Sequence, residues 1–134
     1  MPVTYEINAD AGVILVRAYG AVTPVEFHTN RVKLQDDPEN RPGLKYLVDL
    51  RDVQRFAMSA DDIERLADDR TSHFIEPGTP LAIVADSDEG FGLSRMYQIM
   101  RGTAGEEIQV FSNIEGAEAW LALQPRTETR PTDD

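Results

Sequence analysis

Apolar and polar residues alternate at the start of the chain: Val3, Tyr5 and Ile7 are separated by Thr4, Glu6 and Asn8. That two-residue period predicts a half-buried strand. Asp10-Ala11-Gly12 supplies a turn, and Val13-Ile14-Leu15-Val16-Arg17-Ala18-Tyr19 reads as a second strand ended by Gly20. Together they predict an antiparallel hairpin. The pattern then changes. Thr23-Pro24-Val25-Glu26 is a capping box with proline at the first helical position, where hydroxyl and carboxylate each satisfy an orphan amide. The helix is expected to run to about Gln35, with Val25, His28 and Val32 sharing a face, before Asp36-Asp37-Pro38 stops it.

Asn40-Arg41-Pro42-Gly43 is a turn, and Tyr46-Leu47-Val48-Asp49-Leu50 a largely apolar strand. Ser59-Ala60-Asp61-Asp62 caps a second helix with Ala60, Ile63, Ala67 and Phe74 on one side and Leu66 beside them. On its wet side Asp61, Arg65 and Asp69 have the four-residue spacing of ion pairs, and Pro77-Gly78 ends it. Leu81-Ala82-Ile83-Val84-Ala85 is apolar throughout, which predicts a strand covered on both faces and central in a parallel sheet. Asp86-Ser87-Asp88-Glu89-Gly90-Phe91-Gly92 leads into a third helix that closes on Arg101-Gly102, a cation and then a C-capping glycine. Ile108, Val110 and Phe111 make the last strand. Ser112-Asn113-Ile114-Glu115 starts a final helix that buries Ile114, Ala117, Trp120 and Leu121.

The order ββαβαβαβα predicts an α/β fold in one domain over residues 1–124. Its sheet is five-stranded and mostly parallel, with an antiparallel N-terminal hairpin and about four helices. Residues 125–134 are polar and are expected to form a disordered tail.

Composition narrows the function classes. The 134 residues contain no cysteine, which removes disulfides and thiolate chemistry, and only His28 and His73 as histidines. The net charge of −11 argues against nucleic acid and against an anionic membrane surface. MPVTYEINAD has neither the basic run nor the apolar core of a secretory signal. No apolar stretch approaches the roughly 20 residues of a membrane helix, so a cytoplasmic location is expected.

The segments LVDLRDVQRF, SADDIERLA, LAIVADSDEGFGLSRMYQIMR and IQVFSNIEGAEAWL resemble the SpoIIAA-like, or STAS-like, small bacterial domains. FGLSRMY and the VF–(loop)–A-x-A-W-L ending are the most specific pieces, and the resemblance covers the chain except its tail. It implies the fold above, a homodimer, and a docking role with a protein partner. Anti-sigma-factor antagonists, which give the family its name, bind a partner kinase. They are switched by phosphorylation of a serine in an Asp-Ser-Ser-Gly-like stretch at the start of the second helix. Here that stretch reads Phe56-Ala57-Met58-Ser59-Ala60: Ala57 replaces the Asp, Met58 falls on the switch serine and Ser59 survives. A remoter similarity runs to lipid-binding domains, whose additional cavity-building elements this chain lacks.

Candidate chemistry gathers at the strand ends. The helix start after Asp86 offers amides to an anion, but Asp86, Asp88 and Glu89 repel one and suit the helix dipole instead. Asp86 or Ser87 can cap, and Gly92 is expected to permit close packing. Asp49 and Asp86, at neighbouring strand ends, are the pair that would hold Mg²⁺. A phosphoacceptor site of the receiver type also needs an acidic pair and a lysine, where this chain has Ala18-Tyr19-Gly20 and Phe111-Ser112-Asn113. Arg51, Arg55 and Arg95 suit salt bridges to those carboxylates, and Ser94 and Tyr97 border a shallow pocket. Ser87 and Ser94 lack the hydrolase elbow.

The expected partner or ligand surface is therefore Asp49, Arg51, Ser59, Asp86, Ser87, Ser94 and Arg95. Leu93, Met96, Tyr97 and Met100 share a helix face, and Phe91, Tyr97 and Met100 are the expected dimer contacts. The leading expectation is a non-catalytic interaction or regulatory module without cofactor. A binder of a small apolar metabolite, in a crevice between the Asp49 and Asp86 loops, comes second. A Mg²⁺-dependent or hydrolytic enzyme comes third.

Overall fold

Residues 2–69, 79–101 and 107–124 are described in a computed structural model. Phe74 and His73, the Pro77-Gly78 stop, Gly102 and residues 125–134 lie outside them. Five strands form one sheet in chain order: β1 (Val3–Asn8), β2 (Val13–Val22), β3 (Lys45–Phe56), β4 (Pro80–Val84) and β5 (Glu107–Phe111). β1 pairs antiparallel with β2, and the remaining neighbours are parallel. Four helices follow in turn: α1 (Pro24–Asp36), α2 (Ala60–Asp69), α3 (Asp88–Arg101) and α4 (Ile114–Leu123). The ββαβαβαβα order and the mostly parallel sheet are those expected from the hydrophobic pattern.

Strand periodicity sorts the core into two layers. Ile14, Val16, Tyr46, Leu81 and Ile83 face one way and pack with residues of α1, α2 and α3. Leu47, Ala82 and Val84 face the other way, against Ala117 and Leu121 of α4. All of β4 is buried, so its unbroken apolar run is explained by cover on both faces.

Two strands outrun expectation. β2 continues through Gly20 to Val22, and β3 continues beyond Leu50 to Phe56. The two extensions pair with each other, Val22 opposite Phe56, and register shifts at Arg17/Tyr19 and Gly20/Ala21 absorb the extra twist. Gly20 has a φ of 70°, which glycine adopts without strain. It marks an irregularity within the strand, not the strand's end. Val22, Val53 and Phe56 are buried, and this burial holds the ribbon together past the end of β4.

The caps behave as their side chains dictate. Glu26 Oε1 accepts the Thr23 amide at 2.7 Å, Ser59 Oγ accepts the Asp62 amide at 3.3 Å, and Asn113 Oδ1 accepts the Gly116 amide at 2.7 Å. The face of α1 differs from its expected role. Val25 is 69% exposed, Val32 and His28 are exposed too, and the helix instead buries Asn30 and Leu34 with Phe27 half-buried beside them. The Phe27 ring and Leu34 offer more apolar surface than two valines, and they set the rotation of the helix. Arg65 pairs with Asp62, three residues before it, at 3.0 Å.

In α3 the roles of the two glycines are reversed from the expectation. Gly90 is buried, and a Cβ there would lie 3.0 Å from Ser87 Oγ and 3.1 Å from Phe56 Cζ. Gly92 is exposed and a Cβ would meet nothing within 4 Å. Gly92→Ala should therefore raise stability by up to about 1 kcal/mol through helix propensity. Gly90→Ala should lower stability, because the buried Phe56 ring cannot retreat. Urea unfolding midpoints of the two variants check this opposition; equal effects would contradict it.

Candidate functional site

The strand-end carboxylates have separate fates. Asp49 is 3% exposed and is held by its second neighbour along β3. Arg51 Nε and Nη2 donate to Asp49 Oδ1 and Oδ2 at 2.9 and 2.8 Å, and the Arg51 amide donates to Oδ1 at 3.0 Å. A two-residue step returns to the same sheet face, which is what lets this i,i+2 fork close. The guanidinium holds Asp49 below the usual carboxylate range despite its desolvation, and the same pairing raises Arg51. Asp86 is exposed and acts on Arg51 only through its field. Among the described residues no three acidic or histidine side chains converge into a metal-ligand set.

The other expected site residues spread over several environments. Ser87 caps α3, its Oγ accepting the Gly90 amide at 3.0 Å. Arg95 and Arg55 are exposed. Ser59 is exposed and locked in a reciprocal cap in which Asp62 Oδ2 accepts its amide at 2.8 Å. Asp62 is held low chiefly by that bond, so a phosphate on Ser59 would face a firmly ionised carboxylate. Of the expected dimer contacts, Phe91 is half-buried and Met100 exposed, but Tyr97 is 8% exposed and turns into the core. Ser94 is likewise buried, its hydroxyl donating to the Gly90 carbonyl at 2.7 Å. Neither Tyr97 nor Ser94 lies on a surface; their place one turn apart on the inward side of α3 puts them inside the protein.

What Ser94 and Tyr97 border is a cavity of about 110 Å³ on the sheet face opposite Asp49. Val16, Tyr46, Val48, Leu50, Leu81 and Ile83 form its floor. Ile63 and Leu66 of α2 roof it, and Phe27, Asn30, Arg31 and Leu34 of α1 make one wall. Leu93, Ser94 and Tyr97 make the opposite wall. Phe56 and Met58 close the end nearest the start of α2. Met58 thus serves as apolar lining.

The cavity lies beneath α2, whose Ile63, Leu66 and Ala67 are buried in the same cluster as Val16, Leu81 and Ile83 of the sheet. Its residues were only partly legible in the sequence. The sequence places Ser94 and Tyr97 at a pocket edge, whereas no local pattern marks Phe27, Phe56 or the even-numbered positions of β3 as lining. A polar Asn30 between Phe27 and Leu34, on the buried side of α1, is the signal that marks this wall.

Tyr5 Oη donates to Asp37 Oδ2 at 2.7 Å, tying β1 to the end of α1, and its pKa is pushed up to about 12 mainly by that bond. Asp37 is lowered in return. Stability from the depressed carboxylates Asp37, Asp49 and Asp62 is present above the unfolded carboxylate pKa of ~3.9 and is lost as pH falls through their lower folded values. Stability from Tyr5 is present below ~10 and is lost as pH rises through its folded value. Urea midpoints measured across pH should fall at both ends. Asp49→Asn should cost about 1–3 kcal/mol at neutral pH and flatten part of the acid limb. An unchanged acid limb would contradict the assignment.

No family model matches the sequence, and neither does any curated protein. Among solved structures, an uncharacterized protein of the DUF3478 family from Shewanella loihica PV-4, described as having a SpoIIAA-like fold, superposes with a TM-score of 0.57. It is 17% identical, and the match covers 89% of this chain and 91% of that one. No described helix is long and apolar enough to cross a membrane. The strand order, the antiparallel N-terminal hairpin and this neighbour together identify the fold as SpoIIAA-like.

Proposed function

We propose that this chain is a non-catalytic binding protein whose ligand is a small, mainly apolar molecule held between α2 and the sheet. The observation that carries this is the apolar cavity of about 110 Å³. Protein interiors pack as densely as organic crystals and leave few voids larger than a water. An apolar occupant would remove this lining from water, at about 25 cal/mol for each Å² of apolar surface covered. The reading moves the binding site from a crevice between the Asp49 and Asp86 loops to the opposite face, since Asp49 is committed to Arg51.

A panel of small apolar molecules should raise the melting temperature in a concentration-dependent way, as mass action requires. Leu93→Phe, which adds bulk to one wall, should abolish the effect. No shift with any compound, or an undiminished shift in Leu93→Phe, would contradict the reading.

A protein-docking homodimer is the second reading. It is favoured by the apolar side chains that the end of α3 leaves in solvent, Ile99 at 69% exposure and Met100 next to it. Native mass spectrometry of the same samples distinguishes the two: a monomer carrying added small mass supports the first, an unliganded dimer the second.

A further inference from the structure

Asn30 sits in the middle of α1, between Phe27 and Leu34 on the inward face, and is 5% exposed. Its side-chain amide makes no hydrogen bond among the described residues. The Tyr97 hydroxyl lacks a partner too, but it is sealed within protein; the Asn30 amide is not, and Asn30 lines the cavity. A buried unpaired amide is costly, and asparagine is also a weak helix former. Both costs fall on a position where leucine would serve packing better. The cavity wall therefore carries a neutral group that can both donate and accept.

Shape and charge restrict what that amide can meet. The α1 lining runs from Phe27 to Gln35, ~12 Å at the rise of a helix, and the β3 lining from Tyr46 to Leu50, ~13 Å at the rise of a strand. A volume of about 110 Å³ drawn out over that length is narrow, and it suits a chain better than a ring. Because α1 begins where the parallel strands end, Phe27, Phe56, Met58 and Leu93 gather at one end of the cavity, and Arg31, Gln35 and Asn40 at the other. One end is apolar and the other polar. The polar end has negative surroundings. The carboxyl ends of α1 and α2 lie there, and the Asp37 carboxyl is held low chiefly by the Tyr5 hydroxyl. Arg31 answers that field by donating to the Leu66 carbonyl at 2.7 Å. An ionised carboxylate head would lose its water to enter beside these groups.

We propose that the cavity binds an uncharged straight-chain molecule with one hydroxyl-like end, its chain lying toward Phe56 and Met58 and its hydroxyl paired with the Asn30 amide. This rests on the reading of the cavity as a ligand site and adds the chemistry that the site selects.

The test titrates the full chain with 1-hexanol, hexane, cyclohexanol and hexanoate by calorimetry or NMR, and repeats the titrations on Asn30→Leu, a change close to isosteric. In the native protein hexanol should bind at least as tightly as hexane and more tightly than cyclohexanol, and hexanoate should bind more weakly than any of them. In Asn30→Leu the hexanol-to-hexane affinity ratio should fall about tenfold. The urea midpoint of the unliganded variant should rise, because an unpaired buried amide has been removed. An unchanged ratio, hexanoate matching hexanol, or a lowered midpoint overturns the assignment of Asn30; the last would mean that the amide is already paired in the free protein. Cyclohexanol binding more tightly than hexanol overturns the chain shape. Hexane binding the native protein more tightly than hexanol overturns the head-group chemistry and leaves the cavity as an apolar site. Failure of all four to bind overturns the ligand reading itself.

Discussion

The carboxyl end of α2 is held by two arginines that do not belong to it. Arg31 of α1 donates to the Leu66 carbonyl at 2.7 Å, and Arg101 of α3 donates to the Ala67 carbonyl at 3.3 Å. Those carbonyls lie in the last turn of α2, where helix geometry leaves oxygens without amide partners and the dipole is negative. The last turn of α2 has no basic residue of its own, so both cations come from its neighbours. Arg101 is 3% exposed, and a guanidinium at that depth needs such partners. With α2 clasped from both sides, the helix is fixed over the sheet, and Ile63 and Leu66 roof the cavity.

The same constraint explains the division of labour between the two faces. On the α4 side, Leu47, Ala82, Val84, Ala117 and Leu121 close on one another, and Lys45 Nζ donates to the Leu121 carbonyl at 2.7 Å. That layer is the smaller of the two. Along the same side the Asp49–Arg51 fork neutralises the strand-end carboxylate that would otherwise suggest a base or a metal ligand. On the other side the helices are joined at their ends, by Arg31, by Arg101 and by Tyr5 to Asp37, while Val48, Leu50, Met58 and Leu93 stay half-buried. Space for a ligand thus lies on the face with end-on ties.

Much of the fold was legible because local signals agreed with one another. The apolar run of β4, the alternation of β1 and the caps at Thr23, Ser59 and Asn113 each report on a few adjacent residues, and the structure keeps them. What was not legible depends on residues distant in sequence. The extension of β3 exists only because β2 extends beside it, and the rotation of α1 is decided by what Phe27 and Leu34 can cover. Gly90 is required by a ring 34 positions earlier, Phe56, which no pattern around Asp86–Gly92 reveals. Ser94 and Tyr97 lie on the opposite side of the sheet from Asp49, although the sequence groups them near it. The parity of strand positions decides that side, once the register of β3 is known.

The central claim is that the space beneath α2 is a binding cavity and not a defect of packing. A crystal of the protein placed under xenon pressure tests it most directly, since xenon enters dry apolar cavities of this size. The account predicts a xenon atom between Leu66 and Ile83, beside Tyr97, with the side chains around it unmoved. A cavity that takes up no xenon, with Leu66 and Leu93 collapsed onto Val48, would contradict it.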